Sequence, residues 1–281
     1  MIDAMTDLPI VNISGYQFVS IEEALLPTMR MELKKNAMEQ NLKGTILLSH
    51  EGINIFLAGM RDEIENYKNF LFSYAVLHKI TFKESFTDYQ PFNRLLVRLK
   101  KEIIPFGRDC IQPEKQTAPH LSPEEFKKWY EEKRDMVVLD TRNDFEVALG
   151  TFQNAIDLDL KKFRDFPEAI EWLPENIKQK PIVTFCTGGI RCEKAAELMR
   201  QKGFDNVYQL DGGILNYFEK CGGAFYQGEC FVFDHRVAVD TKLQETKTAQ
   251  CFDCRTPLQK NTIIDGKCPA CGSESISKKA A

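Results

Sequence analysis

Val183-Thr-Phe-Cys-Thr-Gly-Gly-Ile-Arg-Cys-Glu-Lys-Ala-Ala-Glu-Leu-Met199 is the stretch that decides the fold of the central part of the chain. An apolar, β-like run delivers Cys186 to a loop with two glycines, and a helical pattern begins directly after it. In such a unit several backbone N–H groups converge on the cysteine sulfur. The helix N-terminus and Arg191 also favour the thiolate, so we expect Cys186 to be a nucleophile at neutral pH. The alternative is a small buried hydrophobe at a strand end.

The sequence around this stretch predicts a doubly wound parallel α/β domain. Helical segments such as 191–202 alternate with near-continuous apolar strands at 136–140, 181–185 and 207–210. This alternation is typical of a parallel sheet covered on both faces. The domain should begin with a helix, because Ser122 is suited to the N-cap, Pro123 to the first turn and Glu125 to the position three residues on.

The N-terminal part of the chain predicts a different, α+β domain. Its apolar patterns indicate a strand at 16–21, a helix at 22–40, strands at 44–49 and 53–58, a helix at 60–74 and further strands at 79–83 and 94–99. The order βαββαβ is that of a ferredoxin-like, acylphosphatase-like domain, an antiparallel sheet with two helices on one face. A proline-containing polar linker at 111–119 should separate it from the second domain.

The C-terminal part carries a metal-ligand pattern. Cys251-Phe-Asp-Cys254 is followed after thirteen residues by Cys268-Pro-Ala-Cys271. Two such knuckles supply the four thiolates that tetrahedral Zn²⁺ prefers, and Gly272 allows the turn after the second. We therefore predict a structural zinc site, with an iron–sulfur cluster or a redox pair as alternatives. The predicted domains are 1–110, ferredoxin-like; 120–224, the parallel α/β domain that carries Cys186; and 225–281, a zinc-binding extension.

Composition excludes several classes of protein. Hydrophobic residues are 43% and charged residues 28% of the 281 residues, which is typical of globular proteins and not of disordered or fibrous ones. The net charge of −4 excludes a globally basic nucleic-acid coat. No apolar run is long enough to cross a membrane, and Met1–Asp7 lacks signal-peptide features. We expect a cytoplasmic protein without membrane contact, whose nine cysteines serve metal and thiol chemistry.

The loop resembles the active loop of rhodanese-like domains, in which a cysteine is followed after four residues by an arginine. Cys186-Thr187-Gly188-Gly189-Ile190-Arg191 has this length. Further similarities lie at Leu139–Arg142, at Glu146 with Gly150, and at Leu210–Ile214. In that family the cysteine lies at the carboxyl ends of parallel strands and takes up sulfane sulfur as a persulfide.

The whole chain resembles a narrower family, the rhodanese-containing tRNA uridine hydroxylases. The resemblance rests on Ser49–Asn54, Val97–Gly107, Asp140–Asp144, Phe163–Pro167, Cys186–Ala195 and Cys230–Val239. It implies oxygen-dependent hydroxylation at C5 of the wobble uridine, position 34 of tRNA, which gives 5-hydroxyuridine. The implied partner is the anticodon region of tRNA and the implied co-substrate is molecular oxygen. No flavin, haem or other organic cofactor pattern is visible, and no obligate protein partner is evident.

Candidate site residues follow from the loop and its neighbourhood. We predict Cys186 and Arg191 as catalytic residues, and Thr187, Gly188, Gly189, Ile190, Asp140 and Arg142 as substrate-binding residues. Cys186 would add to C6 of the uracil ring and make C5 electron-rich. Arg191 could instead be a structural cap, and Asp140 with Arg142 an ordinary ion pair. Cys192 is either a resolving thiol or inert, and Cys221 and Cys230 are predicted to be structural.

The N-terminal domain is the predicted RNA contributor. Arg94, Arg98, Lys100 and Lys101 could contact phosphates, whereas Phe92 and Phe106 could stack on bases. The alternative is a solvated strand face. His50 is either a site residue or a turn-stabilising side chain.

Two other functions are compatible with the sequence. A rhodanese-type sulfurtransferase would use the same nucleophile but would not need an RNA-holding domain. A non-catalytic, zinc-anchored RNA- or protein-binding module would leave Cys186 inert.

Overall fold

The computed structural model describes residues 10–254, 256–258, 262–263 and 265–277. The chain divides into two compact units, Met1–Thr117 and Ala118–Ala281, and the boundary falls within the predicted linker. Met1–Asp7 and the outer ends of the first and third predicted domains lie outside the described residues, and the predicted three-part division stays a prediction. Among the described residues, no helix has the length and apolar character needed to span a membrane.

The first unit is a five-stranded sheet with two helices. Its elements are β1 (Ile10–Phe18), α1 (Leu26–Glu39), β2 (Lys43–Ser49), β3 (Gly52–Gly59), α2 (Arg61–Phe72), β4 (Thr81–Thr87) and β5 (Leu95–Leu99), with 3₁₀ turns at Glu23–Leu25 and Ala75–Leu77. The strand order is β4-β1-β3-β2-β5, antiparallel except that β5 pairs parallel to β2. This arrangement confirms the predicted ferredoxin-like domain, and its five strands correspond to the five that the apolar patterns indicate.

Strand β1 begins six residues before its predicted start. Val11 and Ile13 alternate into the core, so the strand pattern extends upstream of Gly15. Gly15 is not a strand boundary, because it pairs with Ile55 on one side and Phe82 on the other. A Cβ at Gly15 would lie 2.7 Å from the Phe82 ring, so the glycine permits close approach within the sheet.

The second unit contains a five-stranded parallel sheet and flanking helices. Its elements are β6 (His120–Leu121), α3 (Pro123–Glu131), β7 (Val137–Asp140), α4 (Asp144–Val147), β8 (Gly150–Phe152), β9 (Ala155–Asp157), α5 (Phe166–Ala169), β10 (Pro181–Phe185), α6 (Ile190–Gln201), β11 (Asn206–Leu210), α7 (Gly213–Cys221), β12 (Tyr226–Gly228), β13 (Cys230–Phe231), β14 (Ala238–Val239), β15 (Ala249–Gln250) and β16 (Pro257–Leu258), with 3₁₀ turns at Phe163–Asp165, Ile170–Trp172 and Glu175–Ile177. The order β6-β11-β10-β7-β9 is parallel throughout, which confirms the predicted parallel α/β fold.

Helices α3 and α7 pack together on this sheet around an aromatic core. Phe126 of α3, Phe152 of β8 and Tyr217 of α7 make edge-to-face contacts with ring centroids 4.8 to 5.9 Å apart. The predicted start of α3 is confirmed, because the Ser122 hydroxyl accepts a hydrogen bond from the Glu125 N–H at 3.1 Å.

Residues after the predicted boundary at 224 also belong to this core. Strand β12 pairs antiparallel with β8, and β13 pairs with β14. Tyr226, Cys230, Val232 and Val239 are buried in the same cluster as Phe126. The described tail beyond them has a much smaller core, formed by Ala249, Cys251, Leu258 and Cys268 with two partly buried isoleucines.

Candidate active site and metal centre

The loop after β10 holds the Cys186 sulfur. Cys186 follows the last residue of β10 directly, and α6 begins at Ile190, so Thr187, Gly188 and Gly189 span the distance between strand and helix. Gly189 has a φ of 100°, a conformation that favours glycine. Its N–H donates a hydrogen bond to Cys186 Sγ at 3.1 Å. The sequence therefore places a backbone donor against the sulfur, as the two glycines predict.

The surroundings of Cys186 favour its thiolate. Complete burial opposes ionisation, but the thiol of Cys192, the positive charge of Arg191 and the backbone amides of Arg191 and Gly189 outweigh it. Together these groups lower the pKa of Cys186 to about 5. The sulfur is therefore anionic at neutral pH and suited to covalent catalysis.

Arg191 is held by a buried carboxylate. Its two terminal nitrogens donate to Glu146 Oε2 and Oε1 at 2.6 and 2.8 Å, and both side chains are buried. Burial raises the pKa of Glu146, but the charges of Arg191 and Arg142 lower it below its ordinary value. The prediction of site residues missed Glu146. Its signal was the Asn143–Glu146 spacing at a helix start, where the carboxylate also accepts the Asn143 N–H at 3.1 Å.

Asp140 and Arg142 form a second buried ion pair. The Arg142 Nη2 atom lies 2.7 Å from Asp140 Oδ2, and neither side chain has exposed surface. Arg142 also donates to the Gly150 carbonyl at 2.6 Å, and Thr151 donates to Asp140 at 2.8 Å. The pair thus joins the end of β7 to β8, in the manner of the ordinary ion pair that the sequence left open. The predicted role of Asp140 and Arg142 in substrate binding stays a prediction.

The start of α7 is joined to the cysteine loop by backbone hydrogen bonds. The N–H groups of Ile214 and Leu215 donate to the carbonyls of Cys186 and Thr187 at 2.9 and 3.1 Å. Gly213 has a φ of +66°, and a Cβ there would lie 2.4 Å from the Cys186 carbonyl oxygen. The position therefore requires glycine, a role that the paired glycines at 212 and 213 signal in the sequence.

The segment after β13 contacts the opposite side of the loop. The Thr187 hydroxyl donates to the Phe231 carbonyl at 3.4 Å, and the Arg191 guanidinium lies 5.9 Å from the centre of the Phe233 ring. Phe233 is 51% exposed, an unusual exposure for a large aromatic side chain beside a buried loop. No sequence pattern singled out Phe233, because its proximity to Arg191 depends on the fold.

Cys192 lies in the same buried space as Cys186. Its sulfur is within hydrogen-bonding reach of Cys186 Sγ and lies 3.7 Å from the Thr141 hydroxyl. The side chains of 186 and 192 meet because the first residue is on the loop and the second on the first turn of α6. Burial and the neighbouring Cys186 raise the pKa of Cys192 well above its ordinary value, so Cys192 is a thiol beside a thiolate. The position of Cys192 is compatible with both predicted roles, and its reactivity toward Cys186 decides between an inert and a resolving thiol.

The four predicted metal ligands come together in the tail. The Sγ atoms of Cys251, Cys254, Cys268 and Cys271 all lie within 4.8 Å of one another. The pairs 251 with 271 and 254 with 268 are each 3.6 Å apart. Tetrahedral zinc with Zn–S distances near 2.3 Å requires sulfurs about 3.8 Å apart, so the arrangement fits a closed four-thiolate site. Gly272 turns the chain after the second knuckle with a φ of 74°, as predicted.

The predicted RNA-contacting residues of the first unit have mixed placements. Arg94, Arg98, Lys100 and Lys101 are exposed, and Lys101 pairs with Asp109 at 3.1 Å. Phe92 is half-buried. Phe106 is fully buried, so the expectation that it stacks on a base is wrong, because no face of its ring is accessible.

His50 is an exposed residue of the β2–β3 turn. Its carbonyl accepts the Ile21 N–H at 2.9 Å. The residue lines a polar cavity of about 230 Å³ together with Lys101 and Arg108. The structure thus shows His50 at a cavity, and its role stays a prediction.

A loop cysteine at the carboxyl end of a parallel strand, with an arginine five residues further on and a helix directly behind, defines a rhodanese-like protein. Residues 122–220 match the model of the Rhodanese-like domain, and residues 10–103 match that of the UPF0176 acylphosphatase-like domain. A solved rhodanese-like domain from Anabaena sp. is 23% identical, with 39% of this chain and 79% of that chain covered and a TM-score of 0.33.

Curated relatives narrow the class further. The chain is 46% identical over 275 residues to the tRNA uridine(34) hydroxylase of Cupriavidus taiwanensis, with 94% of this chain and 97% of that protein covered. It is 45% identical over 289 residues to that of Paraburkholderia xenovorans, with 98% and 100% covered. The chain belongs to the tRNA uridine(34) hydroxylase family, which confirms the resemblance found in the sequence.

Proposed function

We propose that this protein hydroxylates C5 of uridine 34 in tRNA, using molecular oxygen, to give 5-hydroxyuridine. The observation that carries the proposal is the near full-length identity to relatives named tRNA uridine(34) hydroxylase, in a chain whose loop cysteine is a thiolate. The sulfurtransferase and binding-module alternatives are retained only as outcomes of the test.

Cys186 is the proposed nucleophile. Its thiolate adds to C6 of the uracil ring, which places electron density on C5 and prepares that carbon to bond to oxygen. The amides of the loop stabilise the thiolate before the addition, and they stabilise it again when the ring is released. Arg191 acts as a positioning residue, because Glu146 engages its guanidinium bidentately and fixes the loop next to the sulfur.

The remaining parts of the chain have proposed roles in support of this reaction. The exposed Arg94, Arg98 and Lys100 of the first unit provide positive charge for the phosphates of the anticodon region. Zn²⁺ is the metal proposed for the four-cysteine cluster, where it stabilises the tail and takes no part in the chemistry. A tRNA substrate places the activity in the cytoplasm. The proposal invokes no organic cofactor and no obligate protein partner.

Mass spectrometry of tRNA nucleosides tests the proposal. Cells lacking the protein are complemented with the wild type, with Cys186→Ala, or with Cys110→Ala, which removes an exposed cysteine of the first unit as a matched control. We expect 5-hydroxyuridine and its derivatives to return with the wild type and Cys110→Ala and to stay absent with Cys186→Ala.

Other outcomes would point to the alternative functions. If 5-hydroxyuridine persists without the protein while a thiolated nucleoside disappears, the protein is a sulfurtransferase. If Cys186→Ala restores 5-hydroxyuridine fully, Cys186 is not the nucleophile. If no nucleoside changes, the hydroxylase proposal is wrong and the binding module is favoured.

A further inference from the structure

The proposed hydroxylation needs a source of two electrons, which has not yet been assigned. When dioxygen places one oxygen atom on C5 of uracil, the second atom leaves as water, and this reduction consumes two electrons and two protons. A flavin, a metal or an external reductant supplies them in most oxygen-using enzymes. The following inference rests on the proposed function and asks which groups of this chain meet the requirement.

The Cys186 thiolate and the Cys192 thiol share the buried site and together carry two removable electrons and one proton, and solvent supplies the second proton. Cys186 and Cys192 are both fully buried, both are free cysteines, and their sulfurs are within hydrogen-bonding reach of each other. The third nearby group is Thr141, whose hydroxyl is neither oxidised nor reduced under these conditions. The two sulfurs are thus placed to form a bond with each other.

Cys192 is held as a protonated thiol beside the Cys186 thiolate. Its S–H donates to that thiolate, and this contact lowers the pKa of Cys186. The Thr141 hydroxyl lies 3.7 Å from the Cys192 sulfur and donates its own hydrogen to the Phe185 carbonyl at 2.9 Å.

We propose that Cys186 and Cys192 are the two-electron reductant of the hydroxylation and are oxidised to an intramolecular disulfide in each turnover. Cys186 is the catalytic residue that bonds to the ring, and Cys192 is a further catalytic residue that cleaves the oxygen–oxygen bond. The net reaction converts uridine, dioxygen, the Cys186 thiolate, the Cys192 thiol and one proton from solvent into 5-hydroxyuridine, one disulfide and water.

The individual steps balance. Cys186 sulfur bonds to C6, and C5 then bonds to dioxygen and is protonated on the outer oxygen to give a hydroperoxide. The Cys192 sulfur attacks that outer oxygen, which breaks the O–O bond, leaves a hydroxyl on C5 and turns Cys192 into a sulfenic acid. Loss of the C5 proton and cleavage of the C6–S bond restore the ring. The freed Cys186 thiolate attacks the Cys192 sulfenic acid, which forms the disulfide and releases water.

The enzyme then requires an external dithiol before it can act again. A protein or small-molecule dithiol that reduces the disulfide restores both thiols, so repeated turnover depends on thiol–disulfide exchange. Without such a reductant, the fully reduced enzyme should make one product molecule per chain and stop.

A single-turnover experiment with full-length protein tests the inference. The protein is reduced, freed of small thiols without oxygen, and mixed in aerated buffer with tRNA isolated from cells that lack it. We expect about one 5-hydroxyuridine per chain, the loss of two free thiols, and a peptide that links Cys186 to Cys192 in the mass spectrum. Addition of dithiothreitol should restart the reaction.

Variants and a tRNA-free sample complete the test. In Cys192→Ser and Cys192→Ala, the amount of 5-hydroxyuridine formed in the first turnover should fall at least ten-fold. The Cys186 thiolate of both variants should remain titratable, which shows that the loop is folded. Cys221→Ala, which removes a half-buried cysteine of α7, should retain the full burst.

Three results would overturn the inference. They are product formation without thiol loss, an undiminished burst in both Cys192 variants, and disulfide formation at the same rate without tRNA. The proposed function fails separately, if the wild type makes no 5-hydroxyuridine even with oxygen and excess dithiothreitol. The two failures are therefore distinguishable.

Discussion

The second unit contains two groups of cysteines whose settings are opposite. Cys186 and Cys192 lie in a packed parallel α/β scaffold, where backbone amides, Arg191 and a neighbouring thiol act on the sulfur. Cys251, Cys254, Cys268 and Cys271 lie in a tail whose own core consists of only a few side chains among the described residues. In the first group the fold determines the state of the sulfur. In the second group the sulfurs, once they bind a metal, determine the fold.

This contrast shows that the residue type alone does not define the chemistry of a cysteine. A thiolate becomes a nucleophile where its surroundings are already rigid and only one or two sulfurs are present. Four thiolates at close range become ligands, because a metal ion neutralises their charge and closes the site. A perturbation of one group of cysteines should therefore leave the other group unchanged.

Removal of the metal should have the largest effect. Structural zinc contributes on the order of 10 kcal/mol to the folding of small domains, so chelation or Cys268→Ser should unfold the described tail from Ala249 onward. Hydrogen exchange of the tail amides measures this loss. The Cys186 titration serves as the control and should not change. A tail that keeps its protection after the metal is removed would contradict the prediction.

The next largest effect concerns the partner of Arg191. Glu146→Gln leaves a buried guanidinium without its counter-charge and should reduce the free energy of unfolding by about 3–5 kcal/mol. Urea denaturation measures the change, with Glu171→Gln, which breaks the exposed pair with Lys202, as a control expected to stay within about 0.5 kcal/mol. Because the pKa of Glu146 is lowered in the folded protein, its contribution is present above the ordinary glutamate pKa of about 4.3 and is lost as the pH falls through the lowered value.

A smaller effect is expected where the start of α7 contacts the cysteine loop. Gly213→Ala introduces a Cβ against the Cys186 carbonyl at a φ of +66° and should destabilise the protein by about 1–3 kcal/mol. It should also displace the sulfur and reduce 5-hydroxyuridine formation. Gly188→Ala is the matched control, because a Cβ there has nothing within 4 Å and stability should change by less than about 0.5 kcal/mol. Equal effects of the two substitutions would indicate that the loop does not depend on α7.

The smallest expected change is the response of Cys186 to pH near neutrality. Its lowered pKa means that the thiolate forms as the pH rises through about 5, so its ultraviolet absorbance should be nearly constant between about pH 7 and pH 9. An ordinary cysteine with a pKa of about 8.5 would still be ionising in that range. The difference between the wild type and Cys186→Ser isolates this group. A midpoint near 8.5 would remove the basis for the nucleophile.

Local patterns allowed much of both sites to be predicted. The loop after β10 and the two knuckles are each encoded within a short run of sequence, and so is the Ser122 cap. Their chemistry depends on neighbours in the chain, such as a glycine that must adopt a positive φ. Sequence patterns therefore predicted the strand–loop–helix unit around Cys186 and the close approach of the four tail cysteines, whose catalytic and metal-binding roles stay predictions.

Features that depend on distant contacts were not predictable. Glu146 meets Arg191 across 45 residues, and Phe233 reaches the same arginine from a segment after the parallel sheet. The predicted strand at 16–21 omitted Gly15 and the residues before it, because the reason for a glycine there is the approach of Phe82 from another strand. Phe106 looked like a stacking platform because burial is not visible in a short polar segment. In each case the decisive neighbour is chosen by the tertiary fold.

The buried pairing of Arg191 has a consequence for the molecules that the loop attracts. The side chains of Arg142 and Arg191 contribute two positive charges, whereas Asp140, Glu146 and the Cys186 thiolate contribute three negative ones. Because the negative charges outnumber the positive ones, this group of residues does not attract a small dianion such as thiosulfate. A neutral uracil ring meets no electrostatic repulsion there. Thiosulfate should therefore bind weakly, and Glu146→Gln should strengthen its binding: the carboxylate that secures the arginine also acts as a filter on the charge of the substrate.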